Sequence, residues 1–184
     1  MLFSHDTEHS LACAVDLVNS APSGSYGEGL PDLGALQDFV RRHDVSDVRR
    51  LTAADLHAVH LLRDSVRAVF SAADDSDAAV VINRLVSQAG VTPRLTDHDG
   101  YDWHIHYFTP GATLADHLAL DCGMALAQVV AAGEKERLRR CEAPDCDQVL
   151  VDLSRNRSKR YCDARTCGNR LHVAAYRERQ RASQ

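Results

Sequence analysis

The sequence predicts an α+β chain. A mostly helical N-terminal domain with one β-hairpin spans residues 1–136, and a small cysteine-built module of ribbon or treble-clef type spans 137–184. Three observations predict it. Apolar residues recur at three- and four-residue steps through most of the first 136 positions. One stretch, Val91 to Phe108, alternates as a strand pair does. Two Cys-x4-Cys pairs, Cys141/Cys146 and Cys162/Cys167, face each other across fifteen residues.

In chain order, Leu11, Val15 and Val18 mark a helix from about Thr7 to Asn19, with Asn19 as its cap. Residues 21–31, with three Gly and two Pro, read as a loop. A short helix over 32–43 buries Leu33, Leu36, Phe39 and Val40. Thr52 and Asp55 form a capping box ahead of a helix presenting Leu56, Val59, Leu62, Val66 and Val69. Asp74-Asp-Ser-Asp77 starts another, with Ala79, Ile82, Leu85 and Val86 inward and Gly90 as its stop. Val91–Thr96 and Trp103–Phe108 form the hairpin around Asp97–Gly100. Thr113 and Asp116 then open a long helix to about Ala132, striped by Leu114, Leu118, Cys122, Ala125 and Val129. Cys13 and Cys122 sit mid-helix among apolar neighbours and read as core residues.

Charge divides the chain unevenly. Residues 137–184 hold 12 Lys and Arg against 6 Asp and Glu, while residues 1–136 hold 9 against 20, for a net charge of −5 overall. A basic end beside an acidic body suits a polyanionic partner for the end alone. The run Leu11–Val15 is stopped by Asp16 and lacks the basic flank of a secretory signal. No stretch approaches the roughly 18 apolar residues of a membrane span. We therefore expect a cytoplasmic protein without membrane contact, whose paired cysteines ligate metal rather than form disulfides.

Two Cys-x4-Cys turns, each aiming two thiolates at one point, suit a tetrahedral Zn²⁺ on Cys141, Cys146, Cys162 and Cys167. Four thiolates leave no open coordination position, so the metal is expected to be structural. Between the pairs, Gln148–Leu153 and Lys159–Tyr161 are expected as two strands of a hairpin, joined by the polar turn 154–158. Arg155, Arg157, Lys159 and Arg160 would crowd its tip.

A helix from about Arg170 to Arg181 follows. At about 100° per residue, Arg170, Arg177 and Arg181 fall within a stripe of about 40°, in a row about 16 Å long. Such a row can follow phosphates or enter a major groove. Asn169 either caps this helix or reaches a base, and Leu171, Ala174 and Ala175 would pack on the hairpin. In the N-terminal domain, His104 and His106 alternate along a strand and so share a face. They read either as a half-exposed polar face or as an effector or second-metal pocket. No His-Glu-x-x-His run, P-loop or nucleotide-binding glycine motif is present, and no enzyme is expected.

Cys167-Gly-Asn-Arg170 followed by Val173-Ala-Ala-Tyr-Arg177 closely resembles the bacterial CGNR zinc finger, which is named for those four residues. Cys141–Cys146 and Asp152–Ser158 fit the same pattern, and the resemblance covers about Leu138 to Arg179. Ala14–Asn19, Leu62–Arg67 and the hairpin with its following helix are similar to the ABATE-type domain, which precedes this finger in a family of stress-induced transcription regulators. The resemblance implies a sensor-like α/β domain joined to a DNA-binding finger.

The expected function is therefore a DNA-binding transcription regulator whose N-terminal domain binds an effector, dimerises, or both. The alternative is an adaptor whose finger docks on a protein or RNA.

Overall fold

Ser4, Asp32, Thr52, Asp74 and Thr113 each accept a hydrogen bond from the backbone N–H three residues on, and so start five helices in the computed structural model. These are α1 (His5–Asn19), α2 (Leu33–Arg42), α3 (Ala53–Ser71), α4 (Asp75–Gln88) and α5 (Leu114–Ala131). At Thr52/Asp55 the carboxylate also returns to the cap N–H, giving the reciprocal box expected from sequence, and Thr113/Asp116 forms a second such box. Gly133, at φ +68°, turns the chain out of α5.

The structure describes residues 2–24, 26–45, 48–89, 94–96, 104–106 and 111–182; for the 94–96 and 104–106 strands, and for part of 164–182, it describes the backbone alone. The expected hairpin is present as β1 (Arg94–Thr96) and β2 (His104–His106), antiparallel, with Leu95 opposite Ile105. The turn expected at Asp97–Gly100 and the outer residues Val91, Trp103 and Phe108 lie outside the described residues.

Helix α5 is the centre of the bundle and packs against α1, α3 and α4. By length and composition it could cross a membrane, with a mean hydropathy of 1.3 over Leu114–Ala131, contrary to the expectation that no stretch comes near such a span. Its apolar residues are spent elsewhere: Leu114, Leu118, Leu126 and Val129 are buried among Leu11, Leu17, Val59, Val66 and Ile82. It is a core helix. The core is built of Leu, Val and Ala, with Phe39 and Phe70 as its aromatics. Cys13 and Cys122 are both buried in it, as expected, and the neighbouring Cys13 thiol together with burial pushes the Cys122 thiol well up.

After α5 come β3 (Leu138–Arg140) and β4 (Val149–Val151), antiparallel with Leu138 opposite Val151. Here the structure corrects the sequence. The partner of β4 is Leu138–Arg140, and Lys159–Tyr161 forms no strand. Alternation explains the choice. Leu138, Val149 and Val151 point into the helical core, while Leu150 points to the cysteines. Lys159-Arg-Tyr has no comparable apolar face to bury. The last helix, α6 (Asn169–Ala182), continues directly from a single π-helical turn at Ala164–Gly168.

Candidate metal centre

The loop joining β3 to β4 carries the first cysteine pair. Cys141 N–H donates to Gln148 O at 2.8 Å, extending the ladder by one bond, and Cys146 N–H donates to Ala143 O at 3.2 Å, closing a tight turn. In the second pair Cys162 precedes the π-helical turn and Cys167 lies within it, and Asp163 organises the turn. Its carboxylate accepts from Thr166 N–H at 2.8 Å and its carbonyl from Gly168 N–H at 3.0 Å. Cys162 N–H reaches back to Cys141 Sγ at 3.4 Å.

The four sulfurs converge: all lie within 4.8 Å of one another, with Cys146–Cys162 and Cys162–Cys167 both at 3.7 Å. A tetrahedron with metal–sulfur bonds of about 2.3 Å has edges of about 3.8 Å, so the donor set fits a Zn²⁺-sized ion.

Burial pushes the Cys146 thiol up to about 11 and the Cys162 thiol higher still. Burial acts on Cys141 in the same direction, but the N–H groups of Ala143 and Cys162 outweigh it and hold this thiol below its usual range. Four crowded sulfurs cannot all be anionic unless a cation compensates them. The site's chemistry therefore asks for a divalent ion. With sulfur at every vertex, a metal bound there would be structural and would offer no open position to a substrate. Ala143, Leu150, Tyr26 and Tyr161 pack around it, and the Arg160 guanidinium lies over the Tyr161 ring at 5.7 Å.

The N-terminal half supplies much of the support. Asn19 pairs with the backbone of Val149, and Arg67 donates to Asp147 O at 2.6 Å and to Val18 O at 2.9 Å. Ser23 Oγ accepts from Asp147 N–H at 2.9 Å. Gly24 sits at φ +53°, and a Cβ there would lie 2.3 Å from Asp145 O, so this position requires glycine on both counts. The Tyr26 hydroxyl donates to Thr166 Oγ1 at 3.0 Å and lies 3.9 Å from Cys167 Sγ.

The loop over residues 21–31 is thus a strap across the cysteine centre. The buried Arg63 fastens it to α3, donating to both Glu28 oxygens at 2.6 and 3.0 Å. Sequence reasoning took Asn19 for a helix cap and this segment for a plain loop. Its dense Gly and the isolated Glu28 were the available signals, but nothing local names their partners.

Asp152 was likewise missed as a hub. Fully buried, it accepts from Ser154 N–H at 3.0 Å, Ser154 Oγ at 2.5 Å, Lys159 N–H at 2.8 Å and Arg139 at 3.4 Å. Burial pushes its carboxyl up, but these donors win and hold it below the usual carboxylate range. They also fold 152–160 into a loop rather than a strand.

Of the basic residues expected on that loop, all four are exposed, but two are engaged. Arg157 pairs with Glu134 and Glu136, and Arg160 with Glu142 at 2.6 Å. Asn169 is exposed as the first residue of α6, and Arg177 and Arg181 are exposed further along it. The side chains of Arg170, Leu171, Ala174 and Ala175 lie outside the described part. His104 and His106 stand at the two ends of β2, and their side chains also lie outside it.

A helical bundle holding a four-cysteine knuckle against its own core defines a zinc-finger protein with a helical N-terminal domain. Residues 11–133 match the family model ABATE, described as "Putative stress-induced transcription regulator", and residues 137–180 match the CGNR zinc finger. The chain belongs to the ABATE family and carries a CGNR finger after that domain. No curated protein matches it.

Proposed function

We propose that the protein is a cytoplasmic DNA-binding transcription regulator. In it, Zn²⁺ on Cys141, Cys146, Cys162 and Cys167 fixes the position from which α6 meets DNA. The observation that carries this reading is that α6 begins two residues after Cys167 and exposes Arg177 and Arg181. Asn169 and Arg170 stand at its base, next to the metal. Arg155 and Lys159 add phosphate contacts from the neighbouring loop. Arg160 joins them by exchanging its exposed Glu142 partner for phosphate, and Arg157 by giving up the exposed Glu136 and the half-buried Glu134, since exposed ion pairs are worth only about 0–1 kcal/mol.

Residues 137–184 form the DNA-binding part in this reading and residues 1–136 the regulatory part, which binds an effector, forms a homodimer, or both. The strap and the Asn19 and Arg67 contacts support a route between them, because an effector that moves α1 or α3 acts on bonds to the knuckle. His104 and His106 are the candidate effector contacts.

Selecting bound duplexes from a random DNA pool, with zinc-loaded and chelated full-length protein in parallel, tests the proposal. Neutralising four to six phosphates gives log affinity a slope of about −4 to −5 against log salt. Salt-independent binding, or enrichment that survives chelation, overturns it.

A further inference from the structure

Helix α6 leaves two large apolar side chains at the surface: Val173 is 40% and Tyr176 57% exposed. At about 100° per residue, Tyr176, Gln180, Val173, Arg177 and Arg181 follow one another around an arc of about 140°. The apolar pair therefore lies beside the arginines, on one continuous face. The Tyr176 hydroxyl accepts from Gln180 Nε2 at 3.3 Å, one turn on, which lays the ring along the helix. Helix α6 continues directly from the π-helical turn at Ala164–Gly168, and among the described residues no other element packs extensively on it.

The charge on the helix decides what this face meets. Arg177, Arg179 and Arg181 are exposed, and Glu178 is the one acidic residue in α6. A second copy would set like charges against each other, whereas a polyanion complements them. Among polyanions, the B-DNA major groove, about 12 Å wide, admits a helix, while the major groove of A-form RNA is too narrow for side chains to read. Arginine contacts to phosphate position a helix but carry no sequence information. Apolar contact with the C5-methyl of thymine does carry it.

We propose that Val173 and Tyr176 are the base-reading residues of α6, packing on thymine methyl groups in the major groove while Arg177 and Arg181 hold the flanking phosphates. Three residues of helix separate them by about 4.5 Å, the span of one to two base pairs. This inference rests on the reading of α6 as the DNA-facing element.

The test uses the full-length, zinc-reconstituted protein and the duplex selected above, with each thymine in the protected region replaced in turn by uracil, which lacks only the methyl. Wild type is expected to lose about fourfold in affinity at one or two positions, the worth of a buried methyl group. Val173→Ala is expected to bind thymine and uracil equally at one of them with an unchanged salt slope, and Tyr176→Ala to do so at its neighbour. Arg177→Ala/Arg181→Ala is expected to weaken thymine and uracil duplexes alike and to reduce the slope by about 2. Zinc content and far-UV dichroism verify that each variant is folded.

If wild type shows no uracil effect, or the folded Val173 and Tyr176 variants keep it in full while the arginine pair still changes the slope, the inference fails and the DNA reading stands. If wild type selects no duplex, or prefers an RNA, both fail.

Discussion

The side-chain amide of Asn19 satisfies both backbone groups of Val149: Oδ1 accepts from the Val149 N–H at 2.7 Å, and Nδ2 donates to the Val149 carbonyl at 2.9 Å. The last residue of α1 thus plays the part of a neighbouring strand for β4, whose next residue but two in the other direction is Cys146. Two bonds of this kind, close to the core on one side and to the cysteine cluster on the other, join the helical body to the finger.

Asn19→Ala leaves a backbone donor and acceptor of a mostly buried strand unmatched. It is expected to destabilise by about 2 kcal/mol, read as a lower urea midpoint at unchanged slope. Asn19→Asp keeps the acceptor but faces the Val149 carbonyl with a carboxylate, and is expected to cost at least as much. A wild-type midpoint in either variant would contradict the pairing.

Gly24→Ala forces a Cβ against Asp145 O in a backbone region that L-residues avoid. The expected cost is about 1–3 kcal/mol, with weaker metal retention in competition with a chromogenic chelator, because the displaced carbonyl lies in the Cys141–Cys146 turn. Gly27, whose added Cβ would meet nothing, is the control and should accept alanine at little cost.

One equivalent of zinc per chain is expected, and Cys162→Ser should lose it. Leu138, Val149 and Val151 belong to the same core as α1, α3 and α5, so chelation should lower the melting of the helical body as well as the finger. A loss of about 3 kcal/mol corresponds to about 6–12 °C in a chain of this size. Helices that melt at the same temperature with and without metal would disprove the coupling.

Acid sensitivity follows from two carboxylates. The Arg63 guanidinium hydrogen-bonded to Glu28 holds that carboxyl below the usual range against the opposing effect of burial, and Asp152 is held low by its four donors. A folded-state value below the unfolded one means that both contribute stability above about pH 4, the ordinary carboxylate range, and lose it as pH falls through the folded value. Glu28→Gln should cost about 3 kcal/mol at neutral pH by stranding the buried Arg63, and should flatten the acid limb of the stability profile.

Asp121 acts in the opposite sense. Burial raises its carboxyl to about 7 against a smaller pull from His9. Between about pH 4 and pH 7 the unfolded chain is ionised there while the folded chain keeps its proton, so stability falls as pH rises across that window. Asp121→Asn is expected to remove this decline and to raise stability at pH 7 relative to wild type, measured by urea titrations at several pH values. An unchanged pH slope would show that Asp121 is not the group responsible.

The helices were legible because their signals are local. Thr52/Asp55 and Thr113/Asp116 are capping boxes that name their own partners three residues away, and the Leu and Val steps behind them need only a 3.6-residue period. The cysteine pairs were legible for the same reason, since each Cys-x4-Cys turn aims its own two sulfurs. By itself the sequence therefore determined the helical body, the β1–β2 pairing and the four cysteines that cluster. Only the tertiary structure decided which segment pairs with β4, because Val149-Leu-Val151 suits any partner and the choice fell to whichever strand could bury Leu138 in the helical core. It also decided that Asn19, Ser23, Gly24, Tyr26 and Arg67 close around the knuckle. Their partners lie about 80 to 140 positions away in the chain, and no local pattern encodes a bond that forms only once the core has brought its two ends together.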